Sequence, residues 1–207
     1  MIRRTPATVG RTTWLVLGLA LLAFSSPATA QSGTRVDLVP SVAFFNPTAN
    51  VVDEGGATAK FTGGAGPGAR LSIWLNDNVA IEASGHFMAS SLDGEIQGLP
   101  AGSIDATMFY GSAQIAVALG AQKRFMLHGG LGMQGTNYDE LIEGGNILTG
   151  VLGFGGWAPL GETVALRADV DMHAHTTYYD FGGVQTEELM QYDMVFSVGL
   201  QFSPGGR

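Results

Sequence analysis

Four charged residues of this chain have the types and spacing expected of an internal ion-pair network. Arg70 and Glu82 lie in two alternating segments joined by a short turn, whereas Arg167 and Asp169 lie on one face of a later segment. The alternation places all four opposite the apolar faces of strands. A charge removed from water must be paired, because an unpaired one is costly. The pattern therefore predicts that Glu82 pairs with Arg70, Arg167 or both, and Asp169 joins them. A gated small pore lined by these groups is the alternative.

A second group of residues has the chemistry of metal ligands. Asp171, His173 and His175 lie two residues apart and share one face of a strand. Imidazole and carboxylate together suit a divalent transition metal. Two-residue spacing is common in strands, however, and neutral histidines can equally join a polar network. We therefore treat these three as weak metal candidates and expect no metal, no cofactor and no catalytic residue.

Eight strand-like segments must position these residues. Each alternates large apolar residues with small or polar ones, which indicates a strand with unlike faces. The last has about eleven residues, the length that a tilted strand needs to cross a membrane. The segments are Val36–Phe45, Gly68–Leu75, Val79–Met88, Thr107–Leu119, Phe125–Gly135, Ile147–Trp157, Val164–Thr176 and Tyr192–Phe202.

The connections between the segments alternate in length. Short turns follow the second, fourth and sixth segments, and the long connections are Asn46–Pro67, Ala89–Ala106, Thr136–Asn146 and Thr177–Glu188. Long loops at one end and short turns at the other are typical of outer-membrane barrels. Aromatic residues gather at both ends, as in interfacial girdles. We expect Phe44, Phe87, Phe109, Tyr110 and Tyr192 at the long-loop end, and Trp74, Phe125, Trp157 and Phe202 at the other.

The N-terminus predicts export. Arg3, Arg4 and Arg11 precede a short apolar run that ends before Ala28-Thr29-Ala30, the pattern of a cleaved signal peptide. The run is too short for a membrane-spanning helix. We therefore expect a signal peptide at residues 1–30 and one domain at residues 31–207.

Composition excludes several classes of protein. Removing the three N-terminal arginines leaves seven basic residues against 18 acidic ones, which argues against nucleic-acid binding. The chain has no cysteine, so disulfide scaffolds and thiol chemistry are excluded. Without a spanning helix, a membrane-embedded mature chain must be a closed β-barrel.

The direction of the alternation distinguishes a membrane barrel from a soluble one. An eight-stranded interior is only wide enough to be filled by side chains, so bulky residues fit better outside. A lipocalin-like soluble barrel would require the opposite facing. We predict that six residues face lipid: Leu71, Ile81, Ile115, Leu131, Leu166 and Leu200.

Together these features resemble the small outer-membrane β-barrel families, which are OmpA-, OmpX- and OmpW-like. The resemblance covers Val36–Phe202, and the terminal strand ending at Phe202 is similar to the signal by which such barrels are recognised for assembly. It implies an all-β, eight-stranded antiparallel transmembrane up-and-down barrel in the bacterial outer membrane. It also implies contact with outer-membrane lipid, lipopolysaccharide and the barrel-assembly machinery, and we expect a monomer.

Outer-membrane barrels as a class include a lipid A deacylase with a Ser-His-carboxylate arrangement on its lipid-facing side. The four histidines here, His86, His128, His173 and His175, fall on the interior face, so we expect no enzymatic activity.

The long connections are acidic, which predicts a charged extracellular surface. Divalent cations could bridge such a surface to lipopolysaccharide. Against Lys60, the acidic residues are Asp53, Glu54, Asp93, Glu95, Asp105, Asp139, Glu140, Glu143, Asp180, Glu187 and Glu188. The sequence favours a structural role in membrane integrity, and leaves open a conduit for small or hydrophobic solutes and a loop-mediated adhesion module.

Overall fold

The computed structural model describes residues 35–48, 50, 52–138, 145–177, 180–181, 184–185 and 189–204, and the predicted signal peptide lies outside them. Alternation of apolar and polar residues makes these segments strands rather than helices. The strands are β1 (Val36–Pro47), β2 (Val52–Glu54), β3 (Ala57–Phe61), β4 (Gly64–Trp74), β5 (Val79–Ile96), β6 (Leu99–Leu119), β7 (Phe125–Tyr138), β8 (Asn146–Pro159), β9 (Val164–Thr177), β10 (Asp180–Phe181), β11 (Val184–Gln185) and β12 (Leu189–Phe202).

Eight long strands close into a ring in the order β1, β4, β5, β6, β7, β8, β9, β12. Each pairs antiparallel with the next, and β12 returns to β1 with Phe196 opposite Phe44. The ring confirms the predicted all-β, eight-stranded antiparallel fold, and the pairing of β12 with β1 provides the closure that a barrel requires. Closure leaves these strands without a free edge inside the membrane.

The two faces of the ring have opposite chemistry. Of the six residues predicted to face lipid, Ile81, Ile115, Leu131, Leu166 and Leu200 are exposed, and Leu71 is partly exposed on the same outer face. The inner face carries buried polar residues instead. This is the facing of a membrane barrel, and the lipocalin-like alternative is wrong. No helix with the length and hydropathy of a membrane span occurs in the described part of the chain.

The prediction that Ala89–Ala106 is a long loop is wrong. β5 and β6 continue through it as one antiparallel hairpin, and they turn only at Gln97 and Gly98, both of which have positive φ. This part of the hairpin lacks the period-two alternation that marks a lipid-facing strand. Ser90, Ser91, Asp93 and Glu95 lie on the extracellular side of the ring pair Phe87–Phe109, where the strands are in water. Strands in water need no apolar outer face, so the ladder continues without its sequence signal.

The predicted loop Asn46–Pro67 also contains strands. β2 and β3 form a hairpin around Gly55 and Gly56, whose φ angles of 61° and 82° suit glycine. β3 then pairs with the last residues of β5, Leu92–Ile96. The second long strand accordingly begins at Gly64 rather than Gly68.

The two remaining long connections are described only in part. β7 extends to Tyr138, and residues 139–144 lie outside the described range. Within the predicted loop Thr177–Glu188, β10 pairs with β11, whereas residues 178–179, 182–183 and 186–188 are outside the described range.

Candidate functional site

The inner faces of β4, β5 and β9 bring the predicted charged residues together in the middle of the lumen. Alternation points Arg70 and Ser72 inward from β4, Glu82 inward from β5, and Arg167 and Asp169 inward from β9, and all five are buried. β4 and β9 are not neighbours in the ring, so their side chains meet across the lumen. An eight-stranded barrel is narrow enough for such contacts.

Glu82 contacts both arginines. Its Oε2 accepts a hydrogen bond from Nη1 of Arg70 at 2.9 Å, and Nη2 of Arg167 lies 3.0 Å from its Oε1. Ser72, which is opposite Glu82 on the neighbouring strand, donates from Oγ to the same Oε1 at 2.5 Å. A carboxylate with three donors retains hydrogen-bond partners for both oxygens after losing its water shell.

Two further carboxylates complete the cluster. Nη2 of Arg167 donates to Oδ1 of Asp169 at 2.9 Å, and Nη2 of Arg70 donates to Oδ2 of Asp171 at 2.5 Å. His128 on β7 lies between two acids, with Nδ1 3.3 Å from Glu82 and Nε2 3.2 Å from Asp171. We call Arg70, Glu82, His128, Arg167, Asp169 and Asp171 the lumen network.

Two glycines of β8 make room for the lumen network. A β-carbon on Gly153 would overlap Oδ1 of Asp171 and the ring of His128, and one on Gly155 would overlap the carboxylate of Asp169. The sequence placed His128 on the interior face, but these two glycines were not singled out from it. The available signal was the run of inward-facing glycines on β8 opposite the charged face of β9.

Two of the three weak metal candidates, Asp171 and His173, have other partners. Asp171 belongs to the lumen network, and Nδ1 of His173 lies 3.0 Å from the hydroxyl of Thr149. His175 is buried farther along β9. Among the described residues, no group of three or more histidines and acids has the geometry to hold a metal ion.

An apolar layer fills the lumen at the extracellular end. Phe45, Phe61, Met88, Met108 and Tyr110 are buried there in one cluster. Tyr110 was predicted to lie in the outer aromatic girdle, and that position is wrong. Its ring is inside the lumen, where its hydroxyl donates to Asp193 at 2.8 Å. A tyrosine can occupy this apolar layer because its one polar atom reaches a buried acceptor.

Another layer fills the opposite end. Trp74 and Trp157 meet edge to face with ring centroids 6.1 Å apart, and Met126 packs beside them. Both tryptophans point into the lumen, on the face where the alternation puts them, and so do not belong to an outer aromatic girdle. Phe125, Phe154 and Phe202 are the aromatic residues exposed on the outer face near this end.

Comparison with known proteins agrees with this architecture. Residues 16–202 match the family model described as outer membrane protein beta-barrel domain. OprG from Pseudomonas aeruginosa shares 16% identity and a TM-score of 0.58, with 83% of this chain and 96% of OprG covered. Neisserial surface protein A shares 11% identity and a TM-score of 0.52, with 83% and 97% covered. No curated protein sequence matches the chain significantly.

At such low identity the two structures establish a common fold, while the family model spans most of the chain. The chain therefore belongs to the outer membrane protein β-barrel family and resides in the bacterial outer membrane.

Proposed function

We propose that this protein is a closed, non-catalytic structural barrel that supports outer-membrane integrity and presents extracellular strands. The observation that carries the proposal is the lumen network, which joins β4, β5, β7 and β9 by charged groups in direct contact. Opposite walls held together by buried ion pairs leave little room for solvent. Such a barrel is suited to rigidity more than to conduction.

The layers above and below the network support the same role. Met88 and Met108 are almost fully buried in the upper layer, and Trp74 is 3% exposed in the lower one. Water-filled porins keep polar, open interiors and have many more strands. This lumen instead is packed by side chains at three levels.

The surface that the barrel presents is formed by the extension of β5 and β6 beyond the membrane, with β3 alongside. Asp93, Glu95 and Asp105 are exposed on this extension. The extension therefore provides an ordered, acidic extracellular surface, and divalent cations could bridge it to anionic lipopolysaccharide.

Electrical recording tests the closed state directly. The mature protein is reconstituted in a planar bilayer at neutral pH, and a general porin in the same bilayer shows that open lumens are detected. We expect a flat trace for this protein and stepwise openings for the porin. Discrete openings from the wild-type protein would contradict the structural role and favour a pore.

A conduit for hydrophobic solutes is the second candidate, and one observation favours it. The ladder between β4 and β5 lacks paired residues at Gly66 and Pro67, beside the apolar upper layer. Proline has no N–H to donate, so the barrel wall is weaker there. An apolar solute entering from outside would meet Met88 and Met108, whose flexible side chains adapt to varied shapes.

Binding of an apolar dye tests this candidate. The fluorescence of N-phenyl-1-naphthylamine is titrated with wild-type protein and with Met108→Lys, which places a charge in the upper layer. If the conduit exists, the wild-type protein binds the dye saturably and Met108→Lys loses most of that binding. Equal titrations for the two proteins would exclude the conduit, and Leu160→Lys in an exposed turn is the matched control.

A further inference from the structure

Arg35 covers the lower end of the lumen. It precedes β1, and its guanidinium carbon lies 3.9 Å from the centre of the Trp74 ring. The backbone N–H of Trp74 donates to the carbonyl of Arg35 at 2.9 Å, which fixes the approach of the two residues. The Arg35 side chain is 24% exposed, whereas Trp74 is buried. Arg35 is therefore the more solvent-exposed partner of this stacked pair.

A buried carboxylate holds this arrangement in place. Oδ2 of Asp37 accepts hydrogen bonds from Nε1 of Trp74 at 2.7 Å and from Nε2 of Gln201 at 2.6 Å. Nη2 of Arg35 lies 3.2 Å from the same oxygen. Asp37 lies on β1, Trp74 on β4 and Gln201 on β12, so one acid joins three consecutive strands of the ring.

The short-turn end of such a barrel faces the periplasm. We propose that Arg35 is a latch, closing the periplasmic mouth of the lumen over Trp74 and Trp157 as a second barrier in series with the lumen network. The inference extends the closed-barrel role proposed above. A guanidinium on an indole face is attracted by the ring and excludes water from it. Asp37 orients both groups, and its contacts are with other residues than those of the lumen network.

The tryptophans report on this latch. The chain has three, and Trp14 lies in the predicted signal peptide, so mature protein purified from outer membranes retains Trp74 and Trp157. Quenching of their fluorescence by acrylamide measures how often water-soluble molecules reach the lower layer. Loss of a cation–π contact at a partly exposed site should raise the quenching constant about two- to fivefold in Arg35→Ala.

Two further variants complete the experiment. Arg124→Ala removes an exposed arginine at the same end and should keep the wild-type quenching constant. Glu82→Ala cuts the lumen network and should also leave quenching unchanged, because the latch is a separate barrier. Folding of each variant is checked by heat-modifiable migration in detergent gels.

The outcomes separate the latch from the proposed function. Unchanged quenching in folded Arg35→Ala would overturn the latch, and so would an equal rise in Arg124→Ala. If the quenching constant rose by the same factor in Glu82→Ala, the latch would not be a barrier independent of the lumen network. Conductance of the wild-type protein tests the closed-barrel role by a different measurement, so either idea can fail alone.

Discussion

Gly155 and Asp169 face each other so closely across β8 and β9 that a β-carbon on Gly155 would overlap the Asp169 carboxylate. The absence of a side chain on one strand thus makes room for a charge on the next. The carboxylate is held in turn by Arg167, so it cannot move aside without losing an ion pair.

Gly155→Ala should therefore destabilise the barrel by about 1–3 kcal/mol, the usual cost of overpacking. The free energy of unfolding is measured by urea titration in lipid vesicles. Gly161→Ala is the matched control, because Gly161 lies in a turn where an added β-carbon would have nothing within 4 Å. Equal stability of the two variants would show that Asp169 has space to relax.

Glu82→Ala should destabilise the barrel by about 3–5 kcal/mol, because it leaves the buried guanidinium groups of Arg70 and Arg167 short of a partner. The same urea titration measures the loss. Glu162→Ala removes an exposed turn carboxylate and should change stability by less than about 0.5 kcal/mol. A Glu82→Ala loss no larger than that of Glu162→Ala would exclude the lumen network as a major source of stability.

Leu131→Arg should cost about 2–4 kcal/mol, because Leu131 is 63% exposed on the lipid-facing side between the levels of Phe125 and Phe109. The measurement is a folding titration from lipid vesicles. Leu160→Arg places the same charge in a short turn near the interface, where the cost falls to about 0–1 kcal/mol. If the two variants were equally stable, the assignment of Leu131 to the membrane would be wrong.

Truncation at the C-terminus should separate the tail from the closing strand. Phe202 pairs with Leu38 and Val164, and the N–H of Ser203 donates to the carbonyl of Thr163 at 2.8 Å. Deleting residues 204–207 should leave heat-modifiable protein in the outer membrane at wild-type levels. Deleting residues 202–207 should reduce it, because β12 then loses its final pairing. Loss of folded protein from the shorter deletion would assign the assembly signal to the tail.

The membrane-spanning segments could be read from the sequence because lipid imposes a strict period of two. Leu166 and Arg167, for example, must point to opposite faces, and only one of those faces tolerates a charge. The same reasoning predicted that Glu82 pairs with Arg70, Arg167 or both, because a narrow lumen leaves few other partners.

The extracellular strands followed no such rule. Ser91 and Asp93 lie on a continuous ladder between β5 and β6. Because both faces of the strands are in water there, neither face has to be apolar, and the segment has the composition of a loop. Alternation does place Tyr110 on the face opposite the lipid-facing Ile115, but its hydrogen bond to Asp193, 83 positions away, depends on the tertiary structure.

The sequence by itself determined the class of fold, the facing of the strands and the charges that had to be paired. Only the tertiary structure decided which partners those charges take, that Gly153 and Gly155 leave room for them, and that Arg35 reaches Trp74. The physical reason is that alternation specifies direction from each strand, whereas contacts across the lumen depend on strand order, register and ring closure together.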